Sequence, residues 1–264
     1  MGSSSLSIRH SLLVSMLGIL CITCFPATAQ TAKKTEADTD KKEDTDRQPP
    51  EESNREQFDF SSTGRPGNQT AGENRGNCPA VDRSLTAMLP DSNFGKTTAT
   101  HPSFWFYMPY LAADVESVEF VLQDEQHEDI WRSQVDFHQA PGYINISLPS
   151  SVDPLKIGLS YQWYVKVACD SKFAPPIYVR GWIERTNVAY LKNYTPQNNH
   201  KRSHLIYARN GIWYDAVDKI LSLDTKDCHL LQKDWETLLN AKGVNLELPQ
   251  PKFSVEIVRD TTNY

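Results

Sequence analysis

Apolar and polar residues alternate with period two through the middle of the chain, from Cys78 to Asn187. Such alternation marks strands that turn one face to a core and the other to water. Val118, Phe120 and Leu122 share one face, while Glu119 and Gln123 take the other. After the polar connection Asp124–Glu128, Trp131, Val135 and Phe137 oppose Arg132, Gln134 and Asp136. Pro141 and Gly142 predict a turn, and Ile144, Ile146 and Leu148 then alternate with Asn145 and Ser147. Tyr161, Trp163, Val165, Val167 and Cys169 form the longest stripe, opposed by Gln162, Lys166 and Asp170. With segments near Leu85–Leu89, Phe104–Met108 and Ile177–Ile183, the pattern predicts about seven short strands and no helices between them. The expected fold is mainly β: an antiparallel β-sandwich of immunoglobulin or fibronectin type III kind over residues 78–190.

One strand departs from alternation. Phe104 to Met108 is apolar on both faces, so both must be covered. If Phe104, Phe106 and Met108 enter the core, Trp105 and Tyr107 point outward, with Tyr164 and Trp182 expected on the same outer side. These four aromatic residues are the candidate binding residues. Their cover is either the protein's own C-terminal helices or an external ligand.

Beyond Asn198 the period lengthens. His204 to Arg209 reads as one helix and Tyr214 to Leu221 as a second, with Gly211 placed to end the first in a left-handed cap. Val217, Ile220 and Leu221 give the second an apolar face. A third is expected from Asp227 to Ala241, facing inward with Leu230, Leu231, Trp235, Leu238 and Leu239. The turn Tyr207-Ala208 to Gly211 to Tyr214-Asp215-Ala216 resembles a single tetratricopeptide helix pair. One copy cannot stack into an array, so residues 200–244 are expected to form a docked helical hairpin plus a further helix, with residues 245–264 as a tail.

The amino terminus has its own pattern. Arg9 and His10 precede an apolar run from Leu12 to Phe25, and Ala27-Thr28-Ala29 follows. That layout predicts a secretory signal over residues 1–29, cleaved after Ala29. The run is shorter than the roughly 20 residues a membrane span needs, and no later stretch suits a stop-transfer helix. Lipid attachment at Cys21 or Cys24 is the minor alternative, since Leu20 and Thr23 stand where a small residue is needed. Residues 30–77 are expected to be a disordered, charged linker: from Thr31 to Asn77 there are eight Lys/Arg and eleven Asp/Glu, with Phe58 and Phe60 the only large apolar side chains.

A net charge of −6 and a pI near 5.7 exclude a general nucleic-acid binder. Three cysteines remain after cleavage. In an oxidising compartment Cys78 and Cys169 are the natural disulfide pair, the alternative being two buried thiols, with Cys228 left over.

The residues from Cys78-Pro79-Ala80 through Leu85 to Pro90, Pro102 to Tyr110, Glu119 to Asp124, Tyr161 to Tyr164, Gly181-Trp182-Ile183 and Gly211 to Ala216 carry a combined resemblance. Together they resemble the mostly cyanobacterial family catalogued as domain of unknown function 928. The resemblance implies an exported protein of unassigned function and supplies no catalytic residues.

Candidate chemistry is sparse. His200 and His204 have the spacing of two zinc ligands on a helix, but no glutamate follows His200, and their neighbours read as an exposed loop. The hairpin cluster His127-Glu128-Asp129 reads as a turn. There is no nucleophile elbow, phosphate-cradling loop or dinucleotide fingerprint, and Asp224 and Asp227 beside Cys228 oppose a reactive thiolate. No metal, cofactor or catalytic site is expected. The expectation is an exported, non-enzymatic interaction or structural module of the periplasm or envelope, with an envelope or secreted protein as partner. The alternative is a carbohydrate-binding module that stacks sugars on exposed aromatic rings.

Overall fold

The computed structural model describes residues 57–72, 78–138, 141–170, 172, 174–191, 202–223, 228–251 and 256–258. The strands are β1 Thr86–Ala87, β2 Phe94–Thr97, β3 Ser103–Met108, β4 Ser117–Gln123, β5 Asp129–Gln134, β6 Gly142–Ser147, β7 Ser160–Ala168, β8 Ile177–Arg185 and β9 Glu256–Val258. The helices are α1 Ser203–Arg209, α2 Trp213–Leu221 and α3 Cys228–Leu239. The strands make two sheets, ordered β1-β3-β6-β9 and β2-β8-β7-β4-β5. The protein is therefore mainly β, with its three described helices after the strands that alternation predicts.

Alternation explains how the sheets meet. Phe104 and Phe106 leave β3 on one face and reach rings of the larger sheet: Phe104 lies 4.8 Å from Phe120 and 5.8 Å from Trp163, and Phe106 lies 5.4 Å from Trp163. All four are buried, as are Leu122, Val165, Val179 and Ile183 of the larger sheet. Gly181 makes room for this centre. It pairs directly with Trp163 across β7 and β8, and a Cβ there would stand 2.2 Å from Leu89 Cδ1 and 2.8 Å from the Trp163 ring. Gly181→Ala is expected to lower stability by about 1–3 kcal/mol through overpacking. Urea denaturation measures it, and an unchanged midpoint would show that the ring has room to retreat.

The helices share this core. Gly211 ends α1 at φ +69°, as expected of a left-handed cap. α2 then inserts two aromatic residues at its start. Trp213 Nε1 donates to the Met88 carbonyl at 2.8 Å. The Tyr214 hydroxyl accepts from Trp163 Nε1 at 2.6 Å and donates to the Trp182 carbonyl at 3.1 Å. Burial pushes the Tyr214 phenol pKa up, so it stays a donor at any ordinary pH. Asp215 follows, accepting from the Thr98 N–H at 3.0 Å and from the Thr98 hydroxyl. Burial raises its carboxyl above the ordinary value, and the threonine hydrogen bonds only partly counter this. Three consecutive side chains thus satisfy buried polar groups while docking the helix.

Three expectations are corrected here. The larger sheet is not wholly antiparallel, because edge strand β2 runs parallel to β8, and β9 likewise runs parallel to β6. Long excursions separate these partners, which lets the chain return in the same direction. Alternation also did not foresee β2 or β9. The third correction concerns residues 57–72, read above as part of a disordered linker. Phe58 and Phe60 are buried, and Phe60 meets Trp213 edge-on at 4.8 Å. Backbone bridges join Asp59 to Lys242, Asn68 to Arg180 and Thr70 to Thr86. This segment is a strap: it runs from the end of the helical region past β8 to β1 and fills hydrogen-bonding positions at the margin of each sheet. Two phenylalanines supply what the charged composition around them could not.

Candidate functional site

The two sheets differ in what covers their outer faces. On the smaller sheet, Trp105, Tyr107, Tyr143 and Asn145 share a face, since residues paired directly across a ladder point the same way. Helices lie over it. Trp105 is 4 % exposed, and its Nε1 donates to Asp218 of α2 at 3.2 Å. Tyr143 packs edge-on against Trp235 of α3 at 5.4 Å, and its hydroxyl donates to the Pro249 carbonyl. Tyr107 packs 5.7 Å from Tyr143.

Tyr164 and Trp182 are elsewhere, on the outer face of the larger sheet, so the four aromatic residues expected on one side are divided between two. Strand order is the reason: β3 belongs to one sheet and β7 and β8 to the other. The ladder registers arrange this second face in rows. Lys96 pairs with Glu184, and Glu184 with Ser160; the next row holds Phe94, Trp182, Gln162 and Gln123. The following row holds Arg180, Tyr164, Val121 and Arg132, and the last Tyr178, Lys166, Glu119 and Gln134. Its long side chains reach solvent, with Tyr178 44 % exposed, Arg132 43 % and Lys166 39 %, above a floor where Val121, Gln162 and Trp182 are buried.

Its charges fall into two groups. Toward β5, Arg132 bridges Glu119 at 2.7 Å and Asp129 at 2.8 Å, and Lys166 bridges Glu119 at 3.1 Å. Burial would raise the Glu119 carboxyl, yet hydrogen bonds from Arg132 and Lys166 outweigh it and hold the group below its ordinary value. Hydrogen bonding from Gln123, with Arg132 adding to it, holds Asp129 down as well. Arg132 also donates to the Tyr164 hydroxyl at 3.3 Å, and the Lys166 ammonium stands 5.0 Å from the centre of that ring. Such exposed pairs add little stability. Their effect is to fix the ring.

Toward β2 the cations make no ion pair among the described residues, although Glu184 lies across the ladder from Lys96. The Arg65 guanidinium, brought by the strap, lies 4.8 Å from the Trp182 ring centre and 5.2 Å from that of Phe94, and donates to Ser160 Oγ at 2.9 Å. Trp182 Nε1 donates to the Pro66 carbonyl at 3.0 Å. Trp182 is consequently 8 % exposed. Beside it opens a groove of about 510 Å³, lined in part by Arg65, Lys96, Trp182 and Glu184. Two residues along β8, Arg180 keeps a buried Nε with no hydrogen-bond partner. Among the described residues of these rows and the strap beside them, five cations (Arg65, Lys96, Arg132, Lys166 and Arg180) meet three carboxylates (Glu119, Asp129 and Glu184), in a chain of net charge −6.

Some of these residues escaped sequence reasoning. Tyr178 and Arg180 alternate with Ile177 and Val179 ahead of Trp182, so the strand pattern already placed them on one face. Arg65 and Lys96 left no such signal, because Arg65 sits among Gly64, Pro66 and Gly67, and Lys96 follows Gly95 in an unrecognised strand.

The remaining candidates resolve simply. Cys78 and Cys169 stand at disulfide distance, with Cα atoms 5.0 Å apart. His204 is not in an exposed loop as its neighbours suggested. It is 2 % exposed on the inner face of α1, with Nε2 2.9 Å from Asp234 Oδ2, and Arg202 holds Asp234 Oδ1 at 2.6 Å. That cluster ties α1 to α3. In the hairpin at His127, Asp124 Oδ1 accepts from the Gln126 and Glu128 N–H groups at 2.9 and 3.0 Å, which closes the turn. Ala29, His200 and the Cys228 side chain lie outside the described residues.

No helix among the described residues is long and apolar enough to cross a membrane. No curated protein and no solved structure matches the chain. The model of one family, described as Domain of Unknown Function (DUF928), matches residues 70–252. That span covers more than half of the sequence and includes both sheets' central strands and all three helices; the chain belongs to the DUF928 family.

Proposed function

We propose that this protein is an exported, non-enzymatic interaction module of the periplasm or cell envelope, and that its working surface is the outer face of the larger sheet. In this reading residues 1–29 are a removed signal, the two sheets are a variant of the immunoglobulin or fibronectin type III sandwich, and α1 and α2 are a docked, tetratricopeptide-like pair. The observation that carries it is asymmetry: helices cover one outer face, whereas the other exposes Tyr178, Lys166 and Arg132 in an ordered array. Toward β5 the ionisable groups pair with one another, and toward β2 the cations are spread along the strands instead of converging on one reacting point, which favours recognition over turnover.

A photo-crosslinking residue tests this when placed at Tyr178 (44 % exposed) and, as a control, at Leu230 on α3, which is 37 % exposed and not turned inward as its spacing suggested. Adducts with an envelope component are expected from position 178 and not from 230. Equal adducts from both positions, or none from 178, would contradict the assignment of this face.

The carbohydrate-binding alternative finds Trp105 beneath α2 and Trp182 buried under Arg65, and keeps Tyr164, beside which Tyr178 is an added exposed ring.

A further inference from the structure

The open face shows an imbalance that points to the chemistry of its partner. We infer that it binds an acidic polysaccharide, a polymer of uronate-type sugars; this rests on the reading of that face as the interaction surface. Arg180 is the first argument. Its guanidinium makes no ion pair with a carboxylate among the described residues, and its Nε is buried without a hydrogen-bond partner, which leaves that one donor unsatisfied on a half-buried side chain. A buried donor left in that state costs free energy unless an acceptor arrives, and a planar carboxylate matches the guanidinium fork.

Lys96 and Arg65 add two further cations beside the groove of about 510 Å³, where Glu184 is the one carboxylate among the lining residues. The five-to-three excess of cations on this face therefore lies toward β2 and β8, away from the Glu119–Arg132–Lys166 network. In a chain of net charge −6 such a face attracts an anion locally while the rest of the surface repels it.

A polymer is indicated because the rows from Lys96 to Lys166 span six residues along β8, about 20 Å at the rise of a strand. A sugar polymer is favoured over an acidic peptide by what lies between the cations. Tyr164 pairs with Arg180 and Tyr178 with Lys166, so aromatic rings and cations alternate across neighbouring strands. Pyranose rings stack on such surfaces while their carboxylates reach the flanking cations.

Binding of purified full-length protein to polygalacturonate, neutral dextran, dextran sulfate and duplex DNA, read by affinity electrophoresis, tests the assignment. Polygalacturonate should retard the protein, neutral dextran should not, and Lys96→Ala with Arg180→Ala should weaken retardation at least tenfold. Lys219→Ala on α2 should leave it unchanged and checks that lost charge alone is not the cause. Melting curves of the variants separate lost binding from lost fold, and Lys96→Ala alone, at an exposed site, should still give a measurable loss. Equal retardation by dextran sulfate or DNA would reject the sugar assignment in favour of unspecific polyanion attraction. Retardation by neutral dextran as strong as by polygalacturonate would reject the role of charge. If no polymer binds while crosslinks from position 178 still form, the polysaccharide inference fails and the interaction face stands; loss of both removes the face as well.

Discussion

Trp213→Ala is expected to remove about 3–5 kcal/mol of folding stability, the range for truncating a large buried aromatic. Trp213 is fully buried, its ring meets Phe60 edge-on at 4.8 Å, and its Nε1 satisfies the Met88 carbonyl. Alanine would open a cavity at the point where strap, helix and smaller sheet meet, and would orphan that carbonyl. Domains of ordinary stability hold about 5–15 kcal/mol in total, so a large share disappears with one side chain. Trp213→Phe separates the two causes: it keeps most of the apolar surface and gives up the hydrogen bond, at about 1 kcal/mol or somewhat more. Equilibrium urea denaturation reads both. A loss below about 1 kcal/mol for the alanine variant would mean that α2 is not seated as described.

Joint replacement of Cys78 and Cys169 by serine comes next, with an expected loss of about 2–4 kcal/mol. The paired positions are 91 residues apart and enclose most of both sheets. Closing so long a loop strongly restricts the unfolded chain, and the chain-entropy argument alone would give somewhat more, about 4–5 kcal/mol. For a domain of this size the melting midpoint should fall by about 5–15 °C. Reductant should lower the wild-type midpoint by a similar amount and leave the double variant unmoved. Identical wild-type melts with and without reductant would show that the thiols are free.

What was legible in the sequence follows physical lines. Period-two alternation located β4, β5, β6, β7 and β8 because one side of each faces a core rich in Phe, Trp, Val and Ile, and β3 stood out as a short run apolar on both faces. The helices were found within a residue or two, since Gly211 and the spacing of Val217, Ile220 and Leu221 act locally. Partner choice was not legible. Nothing in Trp105 and Trp182 as residues tells which sheet each strand joins, and so the four aromatic residues were grouped on one side when the ladders divide them. β2 failed for a related reason: Phe94-Gly95-Lys96-Thr97 has too few apolar positions to show a period, and its place is fixed by pairing with β8. Composition misled at residues 57–72, where averaging over charged neighbours concealed Phe58 and Phe60. The open face was half visible. Tyr164, Trp182 and Lys166 announced themselves by alternation, while Arg65 reaches the Trp182 ring only through a strap that has no periodicity.

The strap has a consequence for where this protein can be cut. A fragment made to start at Cys78 would keep every strand that alternation predicts, yet it would lose Phe58 and Phe60 from their seats and uncover backbone donors and acceptors beside Arg180 and Thr86. Raw margins of that kind recruit other chains. Such a truncation is therefore expected to self-associate, and the workable boundary for a recombinant domain lies upstream of Phe58.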